Sequence, residues 1–157
     1  MKQPLITTWL VAFSCVSLVA QSAPAAKPAP KDYPAAVAAA FQKAYPTATV
    51  THASKEVEDG KITYELETTD RGVRRDLVYL ADGTLLVEEE VINVDAVPAP
   101  VLAAIKARYK TATVSVSEKV TTKGVVTYEL QIKNAPVKTV ELKADGTWIT
   151  PKPAAKK

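Results

Sequence analysis

Two spacings of apolar side chains alternate along this chain, and the change from one to the other predicts its elements. Val37, Phe41, Ala44 and Tyr45 recur at three to four residues, as one stripe of a helix does, and Val101, Ile105, Arg108 and Tyr109 repeat the spacing. Pro34 and Pro98 suit helix starts, where no amide donor is needed. Pro46 stops the first helix; Lys110 holds the corresponding place in the second, leaving its end less defined. Downstream the spacing falls to two. Ile62, Tyr64 and Leu66 alternate with Thr63, Glu65 and Glu67, and Val126, Tyr128, Leu130 and Ile132 with Thr127, Glu129, Gln131 and Lys133. Val114, Val116, Glu118 and Val120 read as one uninterrupted alternating strand with its apolar groups inward. Turn signals at Asp59-Gly60, Arg71-Gly72, Asp82-Gly83, Lys123-Gly124, Asn134 to Pro136 and Asp145-Gly146 separate the runs.

The two helices belong to a duplication. At an offset of 64, Pro34–Val50 aligns with Pro98–Val114 with ten of seventeen positions identical, and Gly60–Leu66 aligns with Gly124–Leu130. After one residue is lost, Ala81–Leu86 meets Ala144–Ile149. Each copy predicts one helix followed by four antiparallel strands, an α+β unit with the helix over the apolar sheet face and the other face wet. A copy of about 60 residues is marginal alone. The favoured arrangement is one continuous sheet of about eight strands with both helices on one side; separate packing through Val91 to Pro98 is the alternative. The expected organisation is a leader at 1–22, a Pro/Ala/Lys linker at 23–31, repeats at 32–92 and 97–150, and a basic tail at 151–157.

The leader is inferred from Lys2, the apolar run Leu5 to Ala20 and the small residues after it, which read as a cleaved secretory signal rather than a spanning helix. Cleavage removes Cys15, the only cysteine, and lipidation at Cys15 is poorly supported because Phe13 and Ser14 precede it. A cysteine-free mature chain suits the periplasm or the extracellular space.

A Pro-x-x-Val helix ending in Tyr45-Pro46, a Gly-x-x-x-Tyr-Glu-Leu strand and an Asp-Gly-x-Leu turn before an acidic strand together resemble the PepSY-like, β-lactamase-inhibitor-like domain family, here in two tandem copies. The resemblance covers Tyr33 to Ile92 and Val97 to Ile149. It implies an exported bacterial protein built from helix-plus-four-strand units, and by analogy protein binding or inhibition. No inhibitor binding residue carries over, because no motif here matches one.

With 20 Lys plus Arg, 17 Asp plus Glu, one His and one Cys, usual zinc, haem, copper and iron–sulfur ligand sets cannot be assembled, so no metal or cofactor is expected. His52 is the one candidate acid or base, but it takes the place of Val116 in the repeat and reads as a packed or edge residue. No enzyme activity is therefore expected. The Asp-Gly pairs lack the ligand spacing of calcium loops. Alternation sends Glu89 to the face opposite Glu88 and Glu90, so the three cannot converge on a cation. Tyr45, Tyr64, Tyr109 and Tyr128 fall on core positions, while Trp148, in the place of Leu85, is a candidate interface aromatic.

Charge is unevenly divided. Residues 33–96 carry 6 basic and 12 acidic groups, and residues 97–150 carry 8 and 4. This polarity could orient a charged partner. Nucleic acid is disfavoured as that partner, since the basic half lacks Arg-rich stretches interleaved with aromatics. Membrane contact is expected only transiently, through the leader or the basic tails. The resulting expectation is a non-catalytic module that binds an unidentified periplasmic or extracellular protein. An inhibitor of a peptidase or β-lactamase is its narrower form. Binding is assigned to the helix-free sheet face, through an exposed row of Thr63, Glu65, Glu67, Thr127, Glu129, Gln131 and Lys133. The alternative is a structural or ligand-sequestering envelope protein whose Lys/Pro tails touch wall or membrane surface.

Overall fold

The computed structural model describes residues 33–58 and 60–149. The expected leader, the linker, Cys15 and the basic tail lie outside the described residues. Helix α1 (Ala35–Ala44) is followed by strands β1 (Thr49–Glu58), β2 (Lys61–Asp70), β3 (Val73–Leu80) and β4 (Leu85–Val91). A short 3-10 turn (Val94–Ala96) leads to helix α2 (Ala99–Arg108) and strands β5 (Thr113–Thr122), β6 (Val125–Lys133) and β7 (Thr139–Lys143). All strands form one antiparallel sheet in the order β1 to β7.

The duplication persists in detail. Pro34 and Pro98 are the N-caps of the two helices. At the other ends, the Tyr45 amide donates to the Phe41 carbonyl and the Tyr109 amide to the Ile105 carbonyl, both at 2.8 Å. Lys110 therefore does not blur the end of α2, because Tyr109 leaves helical geometry as Tyr45 does. Asp82 Oδ1 accepts from the Thr84 amide and Asp145 Oδ1 from the Thr147 amide, each at 2.9 Å, so both Asp-Gly pairs are turn devices.

Pairing places both helices on one side. Leu66 opposes Leu77, Leu77 opposes Glu88, Glu88 opposes Thr121 and Thr121 opposes Val126, so Leu66 and the series Val126, Tyr128, Leu130 share a face. Val37 and Phe41 of α1 pack there on Leu66, Leu77 and Tyr79, with Tyr45 and Tyr64 at the margin. Val101 and Ile105 of α2 pack on Leu130, Ile132, Val140 and Leu142, with Tyr109, Tyr128 and Trp148 at the margin. Burying such aliphatic side chains contributes about 1.5–3 kcal/mol each and fixes the helices to the sheet.

The sheet has seven strands, not the expected eight. The fourth strand of the second copy is reduced to a bridge between Leu142 and Trp148, with the Ile149 amide donating to the Glu141 carbonyl at 2.9 Å. Among the described residues the Asp145-Gly146 turn leaves only Thr147 to Ile149 to pair, and the prolines at 151 and 153 in the sequence lack the amide hydrogen a ladder uses.

The strand read through Val114 and Val116 is also corrected. Bulges interrupt β1 between Val50 and His52 and β5 between Val114 and Val116. The extra residues are Thr51 and Ser115, whose hydroxyls donate to the Glu67 and Gln131 carbonyls at 3.1 and 3.2 Å. Each bulge moves the downstream residues of its strand to the opposite face. Val114 opposes Ile132 on the helix side, whereas Val116 opposes Gln131 on the other. His52 is accordingly exposed on an edge strand, the second of its two expected placements.

A carboxylate-lined sheet face as candidate functional site

The bulges and the register together determine what the helix-free face presents. Across it run His52, Glu67, Asp76, Glu89, Val120, Thr127 and Lys143, each paired with the next on the adjacent strand. Beside this row, Val91 opposes Glu118, Glu118 opposes Glu129 and Glu129 opposes Glu141. On the other flank Ser54, Glu65, Val78, Val87 and Thr122 line up in the same way. The face therefore carries Val78, Val87 and Val120, which form their own buried cluster, bordered by the carboxylates of Glu65, Glu67, Asp76, Glu89, Glu118, Glu129 and Glu141, with Glu56 at the β1 edge.

Neither helix lies on this side, so burial here comes from neighbouring side chains of a twisted sheet. It is deep all the same. Asp76 is 8% exposed and Glu118 5%. Thr63 and Thr127 are 1% and 8% exposed, which corrects the expected exposed row at two positions. Thr63 is hidden in mid-strand, and the Thr127 hydroxyl donates to Glu141 Oε1 at 2.7 Å. Of the remaining expected residues, Glu67 and Lys133 are exposed, while Glu65, Glu129 and Gln131 are half-buried. The register brings Glu65, Glu67 and Glu129 into the carboxylate field and leaves Gln131 and Lys133 towards its edge.

Burial and mutual repulsion raise the affinity of these carboxylates for protons. Desolvation, followed by the charges of Glu129, Glu118, Asp76 and Glu65, pushes Glu89 up to about 8. Desolvation, then Glu118 and Glu141, pushes Glu129 up to about 7. Burial likewise raises Glu65, Asp76 and Glu118 above the ordinary carboxylate range, opposed at Glu65 by the Ser54 hydroxyl and at Asp76 and Glu118 by Arg74. The sequence reading missed Asp76, Glu89, Glu118 and Glu141 as members of this face. Thr51 and Ser115 read as ordinary outward polar positions, so the bulges that reverse the faces left no separate signal in the sequence.

The helix side has its own charged group. Arg75 Nη2 lies 2.9 Å from Glu90 Oε2 and its Nε 3.5 Å from Glu88 Oε1, with the guanidinium 5.9 Å from the Tyr45 ring centroid. Glu88 and Glu90 thus share Arg75 on one face while Glu89 stands on the other, as alternation requires. Trp148 packs edge-to-face on Tyr109 with centroids 5.9 Å apart and carries Arg108 3.9 Å above its ring. These three line a hollow of about 330 Å³ beside β7. Its wall is mainly partly buried structure, and Trp148 bridges Leu142 much as Leu85 opposes Tyr79. Among the described residues, no three His, Cys, Asp or Glu side chains are arranged to hold a metal ion, and no helix is long and apolar enough to cross a membrane.

The sequence pattern of the family described as "Putative beta-lactamase-inhibitor-like, PepSY-like" matches residues 26–87 and again 86–149. The chain belongs to that family. Solved structures share the PepSY-like fold. One, titled among "putative periplasmic proteins" of Bacteroides eggerthii, superposes with a TM-score of 0.63 at 20% identity, covering 75% of this chain and 86% of its own. A BLIP-like protein of Bacteroides fragilis gives a TM-score of 0.60 at 18% identity, covering 80% and 89%. A DUF2874 family protein of Bacteroides uniformis gives 0.61 at 20% identity, covering 74% and 86%. At these identities the likeness concerns the fold. No curated protein matches the PepSY-like chain in sequence.

Proposed function

We propose that the protein is an exported, non-catalytic module that binds another protein through the helix-free face of its sheet. The observation that carries the reading is the composition of that face. Val78, Val87 and Val120, Asp76 and Glu118 are buried there although no helix covers them, leaving a continuous two-repeat surface of apolar floor and carboxylate border. A partner with charge complementary to that border gains orientation and specificity there. Export is supported by the leader-like sequence at 1–22 and by the periplasmic description of the Bacteroides eggerthii neighbour. Inhibition of a peptidase or β-lactamase is the narrower form, and the β-lactamase-inhibitor-like family description favours the second target.

Photocrosslinking residues introduced at Glu67 and Gln131 on the helix-free face, and at Gln42 and Lys106 on the helices, test the reading in the exporting cell. The expected result is one discrete adduct from the first pair and none from the second. Adducts from the helix positions alone, or none from the sheet face, overturn it.

A further inference from the structure

Resting on that protein-binding reading, we infer the chemistry of the partner: it presents a lysine or arginine side chain, whose charge sits among Asp76, Glu89, Glu118 and Glu129, where the two repeats meet.

Asp76, Glu89 and Glu118 stand on the adjacent strands β3, β4 and β5, with Glu129 next on β6. Strands are about 4.8 Å apart, so one guanidinium or ammonium reaches more than one of these groups. Asp76 and Glu118, both more than nine-tenths buried, receive no side-chain hydrogen bond or ion pair among the described residues. Their oxygens still reach the surface, because Tyr79 Oη is the one fully enclosed side-chain atom without a partner among the described residues. The buried valines are the second feature: Val78, Val87 and Val120 lie between these groups and lower the local dielectric, which strengthens a charge pair formed there.

The distribution of charge points the same way. The second repeat is basic overall, yet three of its four acidic residues, Glu118, Glu129 and Glu141, stand on this face. The charge division between copies, read from the sequence, is therefore overlaid by a division between faces. The basic side chains on this face are few among the described residues: exposed Arg74, which acts on Asp76 and Glu118 through space, Lys61, Lys133 and Lys143 towards its edges, and His52 at the end of the Asp76 row. A divalent ion is the less suitable occupant, because the carboxylates do not converge in the arrangement metal ligation requires. Elevated proton affinity at Glu89 and Glu129 makes binding strengthen as pH rises, since the cation displaces protons.

The test is an NMR titration of the protein with a short arginine-containing peptide and with its citrulline counterpart, which keeps the shape and removes the charge. The expected result is shifts of the side-chain carboxyl carbons of Asp76, Glu89, Glu118 and Glu129 with arginine only. Affinity should fall roughly tenfold or more in Glu89→Gln and Glu118→Gln, and rise between pH 6 and 8. Glu129→Gln provides the same comparison if either variant loses its native amide spectrum. Equal shifts at outlying carboxylates such as Glu56 and Asp95, identical responses to citrulline, saturation by calcium chloride alone, or no response at millimolar peptide each overturn the inference. A crosslinked partner that binds Glu89→Gln and Glu118→Gln as tightly as the parent leaves the protein-binding reading standing and removes this one.

Discussion

Glu89 on β4 lies directly opposite Asp76 on β3, on the side of the sheet without helices, while its chain neighbours Glu88 and Glu90 turn to Arg75 on the other side. Like charges placed across a strand pair oppose folding. The pair is therefore a local conflict in an otherwise consistent sheet, and such conflicts tend to mark positions kept for something other than stability.

This conflict gives the protein an unusual dependence on pH. Glu89 binds its proton up to about pH 8 and Glu129 up to about pH 7 in the folded chain, against an ordinary value of 4.5. Between pH 4.5 and 8 the folded state holds more protons than the unfolded one, so stability falls as pH rises through that window. Below it, Asp82 and Asp145, held down by the Thr84 and Thr147 amides, act in the opposite sense. Thermal unfolding should show a maximum Tm near pH 4–5 and a decline towards pH 8. Glu89→Gln should raise stability at pH 8 by on the order of 1–2 kcal/mol and flatten the decline. A Tm that climbs from pH 5 to 8 contradicts the assignment.

Tyr79 makes a second prediction, from an orphaned atom. Its side chain is fully buried beneath α1, its hydroxyl finds no hydrogen-bond partner, and burial beside Glu88 pushes its pKa to about 12. The corresponding position in the second repeat is Leu142, which packs with no polar atom to satisfy. Removing an unsatisfied buried hydroxyl relieves a desolvation cost, so Tyr79→Phe should stabilise by about 1 kcal/mol in urea unfolding. Destabilisation by a similar amount would mean that the hydroxyl has a partner.

Much of the architecture was readable because the signals repeat. Val37, Phe41, Leu66 and Leu77 recur as Val101, Ile105, Leu130 and Val140, and the offset that aligns the sequence also aligns the caps and turns. What escaped was the consequence of one residue in each copy. Period-two reading assumes unbroken pairing, and Thr51 and Ser115 break it, so Val116, Glu118 and Val120 moved from the expected core face to the carboxylate face. The candidate site was thus half legible: Glu65, Glu67 and Glu129 could be assigned by parity, whereas Asp76, Glu89, Glu118 and Glu141 required the register.

The turns that press on the helices supply a third prediction. Gly83 has φ +87°, and a Cβ built there would lie 2.7 Å from the Ala36 carbonyl oxygen; Gly146, at φ +85°, would meet the Pro100 oxygen at 2.7 Å. Alanine at either position meets an unfavourable φ and a backbone atom that cannot swing aside. Gly83→Ala and Gly146→Ala should each cost about 2 kcal/mol or more by denaturant unfolding. Gly72→Ala, where a Cβ meets nothing within 4 Å, should cost less. Equal losses at all three would remove the contact with the helix as the cause.

Continuity of the sheet decides how the repeats unfold. β4 and β5 pair through Glu88 with Thr121, Glu89 with Val120 and Glu90 with Lys119, so the last strand of one repeat hydrogen-bonds the first of the next. Leaving either repeat folded alone would expose that ladder and divide the Val78, Val87 and Val120 cluster, to which both repeats contribute. Each copy is also too small to hold a large core by itself. Leu66→Ala and Leu130→Ala, at matching sites under α1 and α2, should each cost about 2–5 kcal/mol and lower one shared transition. In a Trp9→Phe background, circular dichroism should then trace the same curve as the fluorescence of Trp148, which reports on the second repeat. If Leu66→Ala instead separates an early transition by circular dichroism from an unchanged one at Trp148, the repeats are independent folding units and the β4–β5 seam does not couple them.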